Sequence, residues 1–357
     1  MTMLLKLKSS NIILFILLIN LFFYKIVLFF MIKNNLLTIN LGGGNDSDYY
    51  HAYAIGITDV AIKIWPVLLR FLKDVLLYSR EGVSYCLLLL NQIFIPILFI
   101  KIVGLNYYKQ QKIYLYAISI CLFYPTLFFY TFDIYRDVFM VFAFLLSCLF
   151  VKKFMVNKNK LPYFILSICF GIFLYKLRPY LGFAFLISLT VWKLKLTKLR
   201  ISFIFFLYMI ILFIANYFGS FSCLLEYRSL FSDTAMNSGS SMLIDFSNYK
   251  FFLINYIESA IYQLFGLYII NIKLFFVFVV ESIPFIYMLV YVILNIRFTD
   301  KFSRFLIIFF VVYGTIWIIA NDNLGTAIRL RMFNYFSIYL CYFYILSAKN
   351  NMTQCKT

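Results

Sequence analysis

Stretches of about twenty apolar residues recur along this chain, and short clusters of Lys and Arg separate them. A helix of roughly 20 apolar residues crosses about 30 Å of hydrocarbon, and in lipid a backbone satisfies its polar groups only as helix or closed barrel. The pattern therefore predicts an all-α, polytopic integral membrane bundle of about ten transmembrane helices, near 11–32, 83–104, 113–132, 138–151, 162–177, 180–192, 201–218, 273–296, 305–320 and 332–347. Composition agrees, with 64% hydrophobic and 13% charged residues, against about half and a quarter in soluble domains. The first stretch follows Lys6 and Lys8 as a signal peptide would, but 22 residues exceed an h-region and no A-x-A site follows, so a retained helix is expected.

Charge sets the expected orientation. Six basic clusters, Lys6/Lys8, Lys101/Lys109/Lys112, Lys152/Lys153/Lys158/Lys160, Lys193/Lys195/Lys198/Arg200, Arg297/Lys301/Arg304 and Lys349/Lys356, hold eighteen of the 32 basic residues. Counting Asp300, they hold one of the 14 acidic residues. The positive-inside rule assigns such loops to the cytoplasm, and both termini with them. The opposite side is nearly balanced and carries the Asp-, Arg- and Asn-rich clusters, so the chemistry is expected outside the cytoplasm. A net charge of +18 spread over loops between spans is not the basic patch that nucleic acid requires, and no nucleic-acid partner is expected. Of the seven Cys, five lie in or beside spans (Cys86, Cys121, Cys148, Cys169, Cys341), Cys355 is in the tail and Cys223 is alone outside. Neither a disulfide nor a metal-ligand spacing follows from that distribution.

The chain reads as one transmembrane domain, 1–357, with external insertions at 33–82 and 219–272. The first contains LGGGNDSDYYHAYA and then Trp65, Leu68, Leu69, Leu72 and Leu76 at helical spacing, a helix expected to lie in the membrane interface. Asp46 and Asp48 are candidate general bases for an attacking hydroxyl, beside His51, the chain's one histidine. The same run also suits a loop and helix N-cap; a D-x-D can bind a divalent ion through its oxygens, but one such spacing is a weak signal and no metal site is assigned. The second insertion has a turn-rich centre, MNSGSS at 236–241, and an amphipathic return over 251–265 carrying Glu258, which suits a lid or acceptor-binding loop.

Length arithmetic singles out Arg178. Only 32 residues separate Lys160 from Lys193, and half of them reach about 24 Å as helix, short of the ~30 Å core. Arg178, at the turn, is therefore expected in a recess facing water or a partner, a functional candidate by its depth. Asp133, Arg136 and Asp137 occupy another external turn, where Asp133 and Arg136 are spaced to share a helix face; Asn321 to Arg331 occupy a third. Arg136, Arg178, Arg329 and Arg331 are expected to converge on one cavity, where guanidinium forks would suit phosphate.

These features resemble a family. The acidic run after the first helix, the aromatic stretch ending in Arg136-Asp137, the Arg178-Pro179-Tyr180 turn and the late Asn323–Arg331 loop look like the Wzy-type O-antigen and capsule repeat-unit polymerases. The resemblance implies a glycosyltransferase of the bacterial inner membrane that uses no cofactor and works at the periplasmic face in lipopolysaccharide or other polysaccharide biosynthesis. Its substrate would be undecaprenyl-diphosphate-linked oligosaccharide in the membrane lipid, and its partners a chain-length regulator and a flippase. Asp46, Asp48 and Arg178 would be catalytic; His51, Arg136, Asp137, Tyr180, Asn323, Arg329 and Arg331 would bind substrate. The chain departs from the family in its late loop, 219–272, which holds only Arg228 and Lys250 as basic residues. A GT-C transferase using a polyprenyl-phosphate sugar would share the acidic loop, though commonly with a larger soluble domain. A flippase would carry more charge within its spans than Lys25, Lys176 and Glu281. A membrane O-acyltransferase would place His and Arg in the first helix, where this chain has only Lys25.

Overall fold

Helix is the only regular backbone structure among the described residues, apart from one isolated bridge between Ser241 and Asn323. A computed structural model describes residues 9–37, 44–157, 159–193, 198–237, 240–246 and 248–354. Lys6, Lys8, Lys158, Lys195, Cys355, Lys356 and the middle of the 236–241 turn lie outside them. By length and composition five helices can cross a membrane: α1 (Ser9–Lys33), α4 (Arg80–Val103), α7 (Asp137–Val156), α13 (Ile272–Leu294) and α14 (Lys301–Ala320). A sixth is possible if the bent pair α10 (Lys198–Tyr217) and α11 (Ser222–Asn237) forms one span with a 72° break. The protein is thus a helical membrane protein.

The remaining apolar segments are also helical but shorter or more polar. They are α5 (Gln111–Leu122), α8 (Leu161–Leu177), α9 (Pro179–Val191) and the long last helix α15 (Leu324–Gln354). The stretch 113–132, expected as one span, is broken: α5 ends at Leu122 and Pro125 opens the five-residue α6 (Pro125–Phe129). Proline has no N–H to continue α5 and its fixed φ suits a first helical position.

The chain divides into two compact units, Met1–Pro179 with Leu346–Thr357, and Tyr180–Ile345. In the first, α1 is only 17% buried over its apolar window, against 61% for α4, which marks α1 as the lipid-facing helix. It packs through Leu18 against Leu115 and Leu122, and through Phe29 against Leu88 and Phe128. The first insertion forms α2 (Gly44–Ile55) and α3 (Ile64–Asp74). In α3, Trp65 and Leu69 are buried and Leu68 and Leu72 half-buried on the predicted face. Leu76 is not on that face; it falls beyond the helix end at φ +59 and is 93% exposed. Trp65 is anchored by its indole N–H, which donates to the Ile134 carbonyl at 2.9 Å.

The second unit is organised around α15, in which every residue from Leu330 to Cys341 is buried. The polar members of that stretch, Arg331, Asn334 and Ser337, are each bonded inside the interior. Three π turns occur among the described helices, Leu90–Phe94 in α4, Ala260–Leu264 after α12 (Phe252–Ser259), and Phe278–Ser282 in α13. Each carries buried polar side chains: Asn91 and Gln92, Gln263, and Glu281 with Ser282. A π turn disturbs the ladder of backbone hydrogen bonds and exposes carbonyls to outside donors. In the second unit those donors are on α15: the Tyr335 hydroxyl donates to Leu264 O at 2.8 Å and the Tyr339 hydroxyl to Glu281 O at 3.1 Å. Phe285 stacks on Tyr335 at 4.0 Å between centroids, fixing the ring.

Gly266 is required where this network closes. Its φ is +72, and a Cβ there would collide with the Arg331 guanidinium and the Ser282 hydroxyl. Gly219 has a similar φ of +70 with open space around it. Gly266→Ala should therefore destabilise the protein by about 1–3 kcal/mol more than Gly219→Ala, read as the difference in thermal unfolding midpoint of the two purified variants.

Candidate functional site

In the first unit an arginine gathers the external acidic residues. Arg80 opens α4 behind Ser79, whose hydroxyl caps the helix by accepting from Gly82 N–H at 2.9 Å. Its Nε donates to Asp133 Oδ1 at 2.8 Å and its Nη2 to Asp133 Oδ2 at 2.5 Å, a bidentate fork. The same Nη2 reaches Asp48 Oδ1 at 2.8 Å and Ser47 Oγ at 3.3 Å. Asp48, a candidate base, is thus ion-paired while its side chain stays 68% exposed. Asp46 stands in the first turn of α2, two residues away and so on another face. His51, three residues beyond Asp48, is held by a 2.8 Å hydrogen bond between Nδ1 and the Tyr78 hydroxyl. Burial pushes the Tyr78 hydroxyl up to about 12, so it remains protonated through the neutral range.

The next turn differs from the sequence expectation. Residues 130–136 are turns and bends, and α7 begins at Asp137. Asp133 and Arg136 therefore share no helix face: Asp133 accepts from Arg80 and from the Ile134 N–H at 2.8 Å. Arg136 turns inward, its Nη1 donating to the Leu177 carbonyl at 3.4 Å. That carbonyl ends α8, just before Arg178. Arg178 is 2% exposed and its Nη2 lies 3.7 Å from Oδ1 of Asp137, itself wholly buried. Arg178, expected in a recess facing water or a partner, is buried against Asp137. Of the four arginines expected to converge, Arg136 and Arg178 are brought together, with Asp137, by the ends of α7 and α8.

The second unit holds a separate cavity of about 140 Å³ lined by Tyr180, Tyr227, Trp317 and the Asn321-Asp322-Asn323 turn, with Arg228 and Thr326. The turn is fixed from several sides. Asn323 caps α15 by accepting from Thr326 N–H at 2.9 Å and donates to Ser240 Oγ at 2.8 Å. Asn321 donates to Gln263 Oε1 at 2.7 Å, and Gln263 returns a bond to Asn321 O at 2.9 Å. Arg228, from α11, donates to Ile319 O at 3.2 Å, Asn321 O at 2.5 Å and Ile244 O at 2.8 Å, and pairs with the Asp322 carboxylate. The other Asp322 oxygen accepts from Ser241 Oγ.

Tyr180 and Asn323, both expected to bind substrate, meet in this cavity. Arg331 does not line it: it is buried beside Glu281 at 3.4 Å, its guanidinium 5.4 Å from the Tyr335 ring centroid. Arg329, one helical position pair away, is half-buried and also outside the lining. Arg136 and Arg178 thus belong to the first unit and Arg329 and Arg331 to the second. The chain matches no protein-family model, no curated protein and no solved structure.

Arg80 and Arg228, which organise the two sites, were not among the residues singled out from sequence. Arg80 had one usable signal, a charged pair Arg80-Glu81 behind a capping Ser79 at the mouth of a span. Arg228 had the isolation of a single arginine in a long polar insertion. Their partners are 53 and 94 residues away, beyond the reach of local spacing.

The Asp133 carboxyl is raised by burial, but the Arg80 hydrogen bond, the Ile134 N–H, the Arg80 charge and Ser47 together outweigh this and hold it below its usual value. Lys33 and Glu81 share the same electrostatic neighbourhood. A carboxyl depressed in the folded state stabilises above its unfolded pKa, about 3.9, and that stabilisation is lost as pH falls through the folded value. Asp133→Asn should cost about 1–3 kcal/mol at pH 7, and the gap to wild type should close as pH falls below about 3.9, followed by thermal unfolding between pH 7 and 3.

Proposed function

We propose that this protein is a surface-polysaccharide polymerase that joins undecaprenyl-diphosphate-linked repeat units at the periplasmic face of the bacterial inner membrane. In this reading the ten apolar segments all cross the membrane, with both termini in the cytoplasm. The observation that carries it is the buried group Arg136, Asp137 and Arg178 at the paired ends of α7 and α8. Buried charge is costly, and a second buried guanidinium, Arg136 on the Leu177 carbonyl, next to the Arg178–Asp137 pair gives an excess of positive charge that suits a site receiving an anion. The planar forks match phosphate oxygens two at a time.

Chemically, the bond between the anomeric carbon and the diphosphate oxygen breaks as the acceptor hydroxyl oxygen forms the new glycosidic bond. Undecaprenyl diphosphate leaves, its charge met by Arg136 and Arg178, and the hydroxyl proton passes to a carboxylate. Asp48 is the better placed of the two candidates for that proton. Its Oδ1 is held by Arg80, Oδ2 makes no hydrogen bond among the described residues, and the side chain is open to solvent. Arg80 and Asp133 act as positioning residues for it, and Asp133 precedes Asp137 by four residues.

A strain lacking the protein should display lipid-A core capped by a single repeat unit, with the longer bands of the polysaccharide ladder gone. Loss of every repeat would instead indicate a sugar transferase or a flippase. Arg178→Ala should reproduce the single-repeat phenotype at a normal membrane level of protein. Because it leaves Asp137 as a buried lone charge, Arg178→Gln combined with Asp137→Asn is the paired test. A full-length ladder from either would overturn the assignment.

A further inference from the structure

We infer that the cavity of the second unit is a binding subsite for one ring of an uncharged sugar, and that it rejects phosphate and acidic sugars. Its volume of about 140 Å³ is close to that of the ~150 Å³ cavity known to accept a six-membered ring in an engineered protein. Three aromatic side chains line it: Tyr180 and Tyr227 keep accessible surface and offer flat apolar faces to the C–H face of a pyranose, and the wholly buried Trp317 backs the wall. Two of them are held in place before any ligand arrives: the Trp317 N–H donates to Asn334 Oδ1 at 2.8 Å, and Tyr180 stacks on Tyr313. Pre-set walls of this kind lower the ordering cost of binding.

The charged groups argue against an anion. Arg228 and Asp322 cancel each other, and both are committed to the protein: four hydrogen bonds leave the two terminal nitrogens of Arg228, and both Asp322 oxygens accept. An incoming phosphate or uronate would find no cation free to meet it and a fixed carboxylate nearby. The polar atoms left over are of another kind. Asn321 spends its N–H groups on Gln263 and Asn323 O while its Oδ1 makes no hydrogen bond among the described residues, and the Thr326 hydroxyl likewise makes none. One acceptor and one group that both donates and accepts match sugar hydroxyls, which do both. Aromatic walls with a few placed polar groups are the usual make-up of a small-molecule pocket.

This inference does not depend on the polymerase reading, because it concerns what the cavity binds and not what is joined. The test is saturation-transfer NMR on the full chain in lipid nanodiscs. The probes are methyl glycosides of the common neutral hexoses, 6-deoxyhexoses and N-acetylhexosamines, alongside methyl glucuronide and inorganic phosphate. At least one neutral glycoside should bind, with methyl glucuronide and phosphate at least roughly tenfold weaker. Thr326→Val, which preserves shape, and Tyr227→Leu, at an exposed ring, should each weaken binding of that glycoside by roughly tenfold. Thermal unfolding of both variants checks that they fold as wild type. Absence of binding by every neutral glycoside, equal binding of the glucuronide, or unchanged affinity in both folded variants would overturn the subsite. Polymer ladders from the same variants report separately on the polymerase reading.

Discussion

A guanidinium enters a membrane-buried interior only with its counter-charge, and this protein is organised around that constraint. Arg178 lies beside Asp137, Arg228 grips Asp322, Arg331 faces Glu281, and at the rim Arg80 clasps Asp133. Desolvating each ion is expensive, and the Coulomb attraction offsets that cost only when further hydrogen bonds complete the geometry. For Arg228, the backbone carbonyls of Ile319, Asn321 and Ile244 accept those bonds, so that pair also fixes the segments that carry them. Each pair joins elements far apart in the chain, and the elements are held in register by chemistry that tolerates little displacement.

The three π turns are a second consequence of polar groups in an apolar interior. A widened turn places Gln263 and Glu281 where a regular helix would expose them differently, and leaves carbonyls that need donors. Tyr335 and Tyr339 provide these from the fully buried stretch of α15. This explains the presence of Tyr335 and Tyr339 in the buried stretch of α15: their hydroxyls are the satisfying partners of distorted neighbours. Gly266 completes the arrangement by leaving room for Arg331.

The two candidate sites differ in electrostatic character, and that difference organises the functional reading. In the first unit, Arg178 lies beside the Asp137 carboxylate while Arg136 donates to the Leu177 carbonyl, so cationic charge gathers at the ends of a helical hairpin. In the second, a cancelled ion pair and three aromatic rings make a cavity without net charge, suited to a neutral ring.

Much of this was readable from the sequence because the lipid environment acts on local pattern. Apolar length set the helices, and the shortness of the 160–193 segment marked Arg178 as recessed, since a helix rises by a fixed amount per residue; the folded chain has its side chain 2% exposed. Adjacent residues such as Arg136 and Asp137 needed no tertiary knowledge to be placed together. Pro125 was a local signal for the break within 113–132, but local pattern could not show that 130–136 forgoes a helix so that Asp133 meets Arg80. Nor could it show that Arg331 is committed to Glu281 instead of to a ligand. Those outcomes depend on partners 50 or more residues away. A charge selects its partner by distance in space, and only the folded chain sets that distance.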